Sequence, residues 1–297
     1  MAKNRLTAAL EQMKSGALVA ITGDHHCNDS VALFPAEFTT DHGQIITPSK
    51  IQQFISRCWN NYWDDIAWRK RKTRLPVVAV FNGELADMNR HTKTGLITHS
   101  PADAKRIALA AFAPALAVAD VVFVCRGTEA HAGEDSHMDE ELAWEMNAVR
   151  IVPDEPRARW LHLLEVGGVL FDVAHHPGTG HAAPWTRGND ANKLAFITRQ
   201  TYVEAGIRPP DIVMRGHTHK YADSGRNHRT LAIIGRPWKA TDAYAQKFGS
   251  RPLPLPVGGA AFVCQDGRYE HIDYRYDWPA ERVRIWTPDL MIPFGQT

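Results

Sequence analysis

Cysteine is scarce in this sequence, and the cysteines that it has are not arranged in pairs. There are four among 297 residues, and no two of them have the Cys-x-x-Cys spacing. That absence excludes the common closed zinc sites and a small fold held together by disulfides. The N-terminal residues read as a charged amphipathic helix rather than a secretory signal, so we expect a protein of the reducing cytoplasm.

Long apolar runs and an excess of one charge are also missing. The longest apolar stretches, residues 16–23 and 108–119, are much shorter than the roughly 20 residues of a membrane span, so no membrane association is expected. Lysine plus arginine total 34 and aspartate plus glutamate total 33, which gives a net charge of +1. The whole chain therefore has no general attraction to nucleic acids, and any basic surface must be local.

Histidine is the residue type that stands out. The chain has 15 histidines, and seven of them lie in short polar clusters that follow predicted apolar strands. In α/β folds, ligands bind where the carboxyl ends of strands converge, so these clusters predict one common site. The five clusters are GDHHCN (23–28), NGELAD (82–87), RGTEAH (126–131), AHH (174–176) and RGHTH (215–219).

The side chains of these clusters favour metal ions. Imidazole and carboxylate groups without paired thiolates suit zinc, manganese, iron or a similar divalent ion. The clusters offer more ligands than one ion can take, whereas two ions that share a carboxylate could use them. The candidate ligands are Asp24, His25, His26, Glu84, Asp87, Glu129, His131, His175, His176, His217 and His219.

The order of the motifs resembles that of the calcineurin-like metallophosphoesterases. That family has Asp-x-His, Gly-Asp-x-x-Asp, Gly-Asn-His-Asp/Glu, a lone histidine and Gly-His-x-His, each after a strand. Asp24 and His26 match the first motif, His175 matches the lone histidine, and residues 216–219 match the last motif. The likeness covers about residues 17–220.

Two of the five motifs depart from the family pattern. Glu84 occupies the position of the bridging aspartate and is one methylene longer, while Asp87 matches the second acid of that motif. Thr128 stands where the family has an asparagine ligand, and Glu129 stands where it has a histidine. If the family motif is instead shifted along the GTEAH segment, which we call the displaced alignment, Glu129 is the ligand and His131 is the proton donor. We prefer the displaced alignment because GTEAH resembles a variant of phage and prophage members.

The resemblance implies a two-metal centre that hydrolyses phosphoesters. Two divalent ions would lower the pKa of a bridging water, whose hydroxide would be the nucleophile, and His131 would protonate the leaving group. Manganese is the first expectation for the ions, with iron, zinc, nickel and magnesium as alternatives. By resemblance, the ligands are Asp24, His26, Glu84 and His219 for one ion and Glu84, Glu129, His175 and His217 for the other.

Several nearby residues have two interpretations at this stage. His25 and His176 are sequence neighbours of ligands, and an extended backbone would turn their side chains away from the ions. His176 stays an alternative to its neighbour as ligand and a candidate for substrate binding. Arg126 is either a phosphate contact or a solvated side chain. Trp59 and Trp63 share one helix face, which suits core packing or base stacking.

The resemblance also implies the fold and the substrate class. The expected fold is an α/β sandwich of four layers, α/β/β/α, with two mixed sheets. One domain would span residues 1–297, with the metal motifs in 17–220 and the strands and hairpin of 221–297 completing the second sheet.

A phosphodiester, nucleotide or nucleic acid is the preferred substrate. The alternatives are a phosphomonoesterase, a catalytically impaired phosphate- or nucleic-acid-binding relative, and an amide or ester hydrolase. A phage-encoded protein would act in the host cytoplasm, and the oligomeric state stays open.

Overall fold

The strand β1 (Gly16–Thr22) has apolar side chains on both of its faces. Leu18 and Ala20 belong to one hydrophobic cluster, and Val19 and Ile21 belong to another. A strand that is buried on both faces needs a layer of structure on each side of its sheet. The computed structural model of the chain has that arrangement.

The structure describes most of the chain. The described residues are 2–88, 95–177, 187–241, 255–279, 284–286 and 291–293. The helices are α1 (Ala2–Ser15), α2 (Lys50–Thr73), α3 (Pro101–Val118), α4 (Glu129–Ala132), α5 (His137–Glu145) and α6 (Arg187–Glu204). The further strands are β2 (Phe38–Thr39), β3 (Ile45–Ile46), β4 (Val77–Asn82), β5 (Val121–Cys125), β6 (Ala158–Arg159), β7 (Leu161–Val166), β8 (Val169–Ala174), β9 (Ile212–Arg215), β10 (Ala222–Asp223), β11 (Leu231–Ile234), β12 (Val257–Gln265), β13 (Arg268–Tyr276), β14 (Arg284–Trp286) and β15 (Met291–Pro293). None of the helices in these ranges combines the length and the apolar character that crossing a membrane requires.

The strands form two large mixed sheets. The first sheet has the order β13-β12-β1-β4-β5-β6, and the second has the order β10-β11-β9-β8-β7. In the first sheet, β1, β4, β5 and β6 run parallel, while β12 is antiparallel to both of its neighbours. In the second sheet, β8, β9 and β11 run parallel, and the edge strands β7 and β10 are antiparallel to them.

Three hydrophobic clusters show how the layers pack. One cluster joins the first sheet to helices α2, α3 and α5, and Trp59 lies in it. A second cluster lies between the sheets and contains Val80 from the first and Phe171 from the second. The third joins the second sheet to α6 through Leu194 and Val213. The predicted α/β/β/α sandwich of two mixed sheets is therefore confirmed.

The C-terminal hairpin of β12 and β13 lies in the first sheet. The sequence predicts that it completes the second sheet, but β12 pairs with β1, with Ala261 opposite Ala20. Strands β10 and β11 do lie in the second sheet. The burial of both faces of β12 explains why the hairpin joins the first sheet, because Ala261 faces the helices while Phe262 faces the other sheet. An inner position of a covered sheet buries both faces of such a strand.

Helix α2 packs its aromatic face against the first sheet. Ser49 begins the helix with a capping box, in which its side chain accepts from Gln52 N and the Gln52 side chain accepts from Ser49 N. Trp59 and Trp63 are each 1% exposed, and Trp59 Nε1 donates to Ala111 O at 3.0 Å. Core packing, rather than base stacking, is therefore the role of this pair. Trp68, nearer the end of the helix, is 46% exposed.

We expect Trp59→Ala to lower the free energy of unfolding by about 3–5 kcal/mol, because it leaves a large cavity in a packed layer. Trp68→Ala is the matched control on the same helix and should change that free energy by less than about 0.5 kcal/mol. Urea unfolding followed by circular dichroism measures both. Equal losses for the two variants would contradict the packing described here.

Candidate metal centre

The loops that follow β1, β4, β8 and β9 meet at one edge of the sandwich. β1 and β4 are parallel neighbours, as are β8 and β9, so each pair of loops leaves its sheet at the same end. Asp24 N donates to Gly83 O at 3.2 Å, and Gly216 N donates to His175 O at 2.8 Å. His217 N donates to the Asp24 carboxylate at 3.0 Å. That last bond connects a loop of the first sheet to a loop of the second.

Four side chains from these loops form a first group of possible metal ligands. His26 Nε2 lies 2.9 Å from Glu84 Oε2 and 3.1 Å from His219 Nε2. His219 Nε2 lies 3.3 Å from Asp24 Oδ1. One ligand atom from each of the four residues falls within 4.8 Å of the others. These four residues are the ones that the resemblance assigns to the first ion.

Glu84 also belongs to a second group, with His175 and His217. Its Oε1 lies 3.3 Å from His175 Nε2 and 3.4 Å from His217 Nδ1, whereas its Oε2 faces His26 in the first group. The two oxygens of one carboxylate thus face two separate sets of imidazoles. This is the geometry of a carboxylate placed between two cations.

The donor atoms of the second group fit a metal ion. His175 Nδ1 donates to Asn82 O at 2.7 Å, so in the neutral ring the lone pair is on Nε2, which faces Glu84. Among the described residues, neither His175 Nε2 nor His217 Nδ1 has a hydrogen-bond partner. Their contacts with Glu84 are longer than a normal charge-assisted hydrogen bond. Buried nitrogens of this kind are suited to a cation.

The backbone of the site is held in an uncommon conformation. Twelve described residues other than glycine have a positive φ, and five of them are candidate ligands. A positive φ costs a residue with a Cβ about 1–2 kcal/mol, so it persists where the surrounding structure imposes it. The five are Asp24 (52°), His26 (45°), Glu84 (53°), His217 (70°) and His219 (56°).

The charges of the site compensate each other without a metal. Burial raises the pKa of Glu84, but His175 and His26 lower it further, so it lies well below the usual range. Burial lowers the pKa of both histidines, and Lys239 lowers that of His26 further. The neighbouring carboxylates together outweigh these effects, Glu84 with Asp87 at His26 and Glu84 with Asp24 at His175, and raise each pKa to about 9. At neutral pH these two imidazoles are therefore protonated in the metal-free protein. The protons supply the positive charge that a bound cation would replace.

A third group lies beside the first and contains His26, Asp87 and His131. Asp87 Oδ2 lies 3.2 Å from His131 Nδ1 and 3.5 Å from His26 Nδ1. Lys239 Nζ lies 3.8 Å from the same oxygen and 2.9 Å from Asp29 Oδ2, and this lysine is 4% exposed. Burial raises the pKa of Asp87, but the hydrogen bonds from His131 and His26 lower it to well below its usual range. The carboxylate therefore stays ionised and orients the His131 ring.

The GTEAH segment brings two of its three candidates to the site. His131 lies next to His26, with 4.6 Å between the ring centroids. The Thr128 hydroxyl donates to Glu84 Oε1. Glu129 is exposed at the first position of α4 and is in none of the ligand groups among the described residues. Of the two residues that the displaced alignment uses, His131 thus lies beside the first group, whereas Glu129 lies outside the ligand groups.

The remaining candidates lie around the groups. His176 is exposed, and its ring centroid is 5.3 Å from that of His217, so His175 rather than His176 faces the ligand groups. Arg126 is half-buried, and its Nε donates to Ala158 O at 3.0 Å. His25 is buried against aromatic rings, which fits the expectation that its side chain turns away.

Two residues that support the site could not be placed there from the sequence. Asp139 lies in α5, and its carboxylate accepts from Leu85 N at 3.0 Å and from Gly127 N at 2.7 Å. It thereby ties the GELAD loop to the GTEAH loop. Lys239 comes from a segment that the motifs do not include, and its contact with Asp87 depends on the tertiary fold. Both side chains are buried, and neither residue type nor spacing distinguishes them in the sequence from charges that lie on the surface.

Comparisons of the chain with known proteins found similarity among solved structures. A dimetal phosphatase from Danio rerio is 10% identical, covering 89% of this chain and 100% of that one, with a TM-score of 0.44. A hypothetical protein from Pyrococcus horikoshii is 10% identical, with coverage of 88% and 89% and a TM-score of 0.43. Vacuolar protein sorting 29 from Cryptosporidium parvum is 12% identical, with coverage of 89% and 100% and a TM-score of 0.37. No protein-family model and no curated protein matches the sequence. At these scores the likeness assigns no role to any residue, and the chemistry of the site rests on its own contacts.

We expect the affinity for divalent ions to rise with pH between 6.5 and about 9. A metal binds the neutral imidazole, so His26 and His175 must each release a proton, and this release costs less as the pH approaches their raised pKa. Calorimetric titration with Mn²⁺ in two buffers of different ionisation enthalpy counts the released protons. Binding that releases no proton and does not vary with pH in this range would contradict the assignment of these two ligands.

Proposed function

We propose that the chain is a metal-dependent phosphoesterase of the calcineurin-like type, with two divalent ions and a phosphodiester or nucleotide as its substrate. The observation that carries the proposal is the contact pattern of Glu84, whose two oxygens face two separate groups of imidazoles. Two adjacent ions need a shared carboxylate of this kind. The order of the motifs along the chain supports the same function.

The ligands of each ion follow from the two groups. Carboxylates combined with imidazoles suit manganese, iron or zinc, and manganese is our first choice. When bound, two such ions supply a nucleophile from water near neutral pH and offset the charge of an in-line displacement at phosphorus. Asp24, His26, Glu84 and His219 would hold one ion, and Glu84, His175 and His217 would hold the other.

His131 is the proposed proton donor to the leaving group. Its Nδ1 contacts the buried carboxylate of Asp87, and its side chain is 33% exposed, so the rest of the ring can reach a substrate. A carboxylate on one nitrogen fixes the ring orientation and leaves the other nitrogen for proton transfer. The contact of His131 with the first group supports this role, because a leaving group would depart beside the ions.

Substrate binding is the proposed role of His176 and Arg126. His176 is exposed beside His217, at the open side of the second group. The Arg126 guanidinium contributes a positive charge near the same side, which suits an anionic substrate. These contacts support a phosphoester more than a neutral amide or ester.

A catalytically impaired phosphate-binding relative is the second candidate function. One observation favours it, because the second group has three residues and Glu129 is not one of them. A site with fewer ligands holds its ion less tightly, and loss of that ion would end two-metal chemistry. Metal content and turnover separate the two candidates.

Single substitutions should remove the ions selectively. Glu84→Ala should abolish binding of both ions, since Glu84 is shared, whereas His217→Ala should leave about one ion per chain. His219→Ala should likewise leave about one ion, but from the other group. Elemental analysis after dialysis against Mn²⁺ measures the content, and hydrolysis of bis(p-nitrophenyl) phosphate measures activity before and after chelation.

His228→Ala is a control, because this histidine contacts Phe196 on the outer side of the second sheet. It should keep about two ions and full activity. If the unmodified protein bound two ions but hydrolysed no phosphoester, the binding candidate would replace the enzyme. If it bound none, the ligand groups would not be a metal centre.

The proton-donor role predicts a dependence on the leaving group. His131→Gln should lower kcat about 100- to 10,000-fold for a diester with an alkoxide leaving group, which needs a proton. It should change kcat much less for p-nitrophenolate, which leaves without one. Steady-state kinetics with both esters measures the difference. An equal loss for the two leaving groups would indicate that His131 has another role.

A further inference from the structure

An exposed tryptophan stands where the chain passes from one sheet to the other. Trp160 is the single residue between β6 in the first sheet and β7 in the second, and it is 49% exposed. On one side, Arg126 N donates to Arg159 O at 2.9 Å. On the other side, the next residue, Leu161, pairs with Ala174, which directly precedes the ligand His175. Pairing in both sheets therefore holds Trp160 beside the metal centre.

The Trp160 ring is connected to the second ligand group by a single side chain. Its centroid lies 6.3 Å from the ring of His176, and the His176 ring lies 5.3 Å from that of His217. A substrate whose phosphoryl group lies at the metal centre would therefore have Trp160 within reach of its next chemical group. The Trp160 residue is 49% exposed, so it is open to such a group.

Arg126 gives this position a positive charge. Its guanidinium carbon lies 5.7 Å from the centroid of the Trp160 ring. The side chain is held by hydrogen bonds to the backbone carbonyls of Ala158 and Asp135, neither of which carries a charge. In the described part of the chain, no carboxylate lies within ion-pair distance of Arg126, so its charge is available to an anionic ligand.

We propose that Trp160 stacks against the nucleobase of a nucleotide-containing phosphodiester, with Arg126 beside it in the same subsite. The proposal rests on the proposed phosphoesterase function and specifies its substrate class. Indole rings bind bases through their faces, and a neighbouring guanidinium strengthens the contact with the anionic backbone. An exposed aromatic ring on a backbone that is paired on both sides, beside a phosphoryl site, is the arrangement that such a substrate requires.

The three tryptophans of helix α2 provide the contrast. Trp59 and Trp63 are buried in the core and cannot meet a base. Trp68 is 46% exposed and has Lys72 Nζ 4.8 Å from its ring. It lies near the end of α2, which leads to the start of β4, whereas the site lies beyond the end of that strand. Trp68 is thus an aromatic residue with a cation beside it but no access to the site.

The test compares two substrates that differ by a nucleoside. The p-nitrophenyl esters of thymidine monophosphate and of methyl phosphate have the same leaving group, and their ratio of kcat/KM in Mn²⁺ measures what the nucleoside contributes. Trp160→Ala should lower this ratio roughly 5- to 150-fold. Trp160→Phe should retain much of it, and the matched control Trp68→Ala should leave it unchanged. An unchanged ratio in Trp160→Ala, with its circular dichroism spectrum intact, would overturn the proposal.

A binding measurement keeps this result separate from the proposed activity. Thymidine monophosphate should quench tryptophan fluorescence in the unmodified protein and in Trp68→Ala, and it should not quench it in Trp160→Phe. If neither the unmodified protein nor any variant hydrolyses either ester, the phosphoesterase function fails. The quenching of tryptophan fluorescence by thymidine monophosphate then tests the base-binding subsite alone. Absence of quenching in the unmodified protein would then overturn the subsite as well.

Discussion

Two buried carboxylates, those of Asp24 and Glu84, are the constraint on which this edge of the sandwich depends. Each residue is 1% exposed, and a buried anion needs compensating charge or hydrogen-bond donors. The backbone N–H of His217 donates to one of them, and imidazoles contact both. In the metal-free protein, protonated histidines balance the charge. Divalent cations held by the same side chains would balance the negative charge instead of the protons. This explains why the donors converge on so small a volume.

The fold supplies the rigidity that this convergence needs. Candidate ligands with a positive φ would relax in a free loop, since each such conformation costs about 1–2 kcal/mol. Here they lie in loops that follow parallel strands and are held by hydrogen bonds from loop to loop, and Asp139 connects the loop of Glu84 to the GTEAH loop. Strain at this one edge is thus balanced by the packing of the apolar layers. The conformation of the site therefore depends on the packing of the layers.

The motif order and the periodicity of the strands predicted much of the arrangement. Polar residues directly after buried strands indicated that Asp24, His26, Glu84 and His175 would meet, because parallel strands end at the same edge. The same reasoning did not locate Glu129, since a short helix begins at this residue and its side chain is exposed. The C-terminal hairpin was also misassigned, because an apolar strand pattern does not state which sheet will cover its two faces.

By itself, the sequence determined most of the strands and the polar clusters at their ends, because these follow from local patterns of apolar and polar residues. The layer type and the candidate ligand set were predicted from the resemblance of the motif order to a known family. Only the tertiary structure decided which oxygen of Glu84 faces which histidine, that His175 rather than His176 points inward, and that Lys239 lies beside Asp87. It also decided that Trp160 lies beside the site while Trp59 lies in the core. Such relations join residues that are far apart in the chain, and sheet pairing between distant segments creates them.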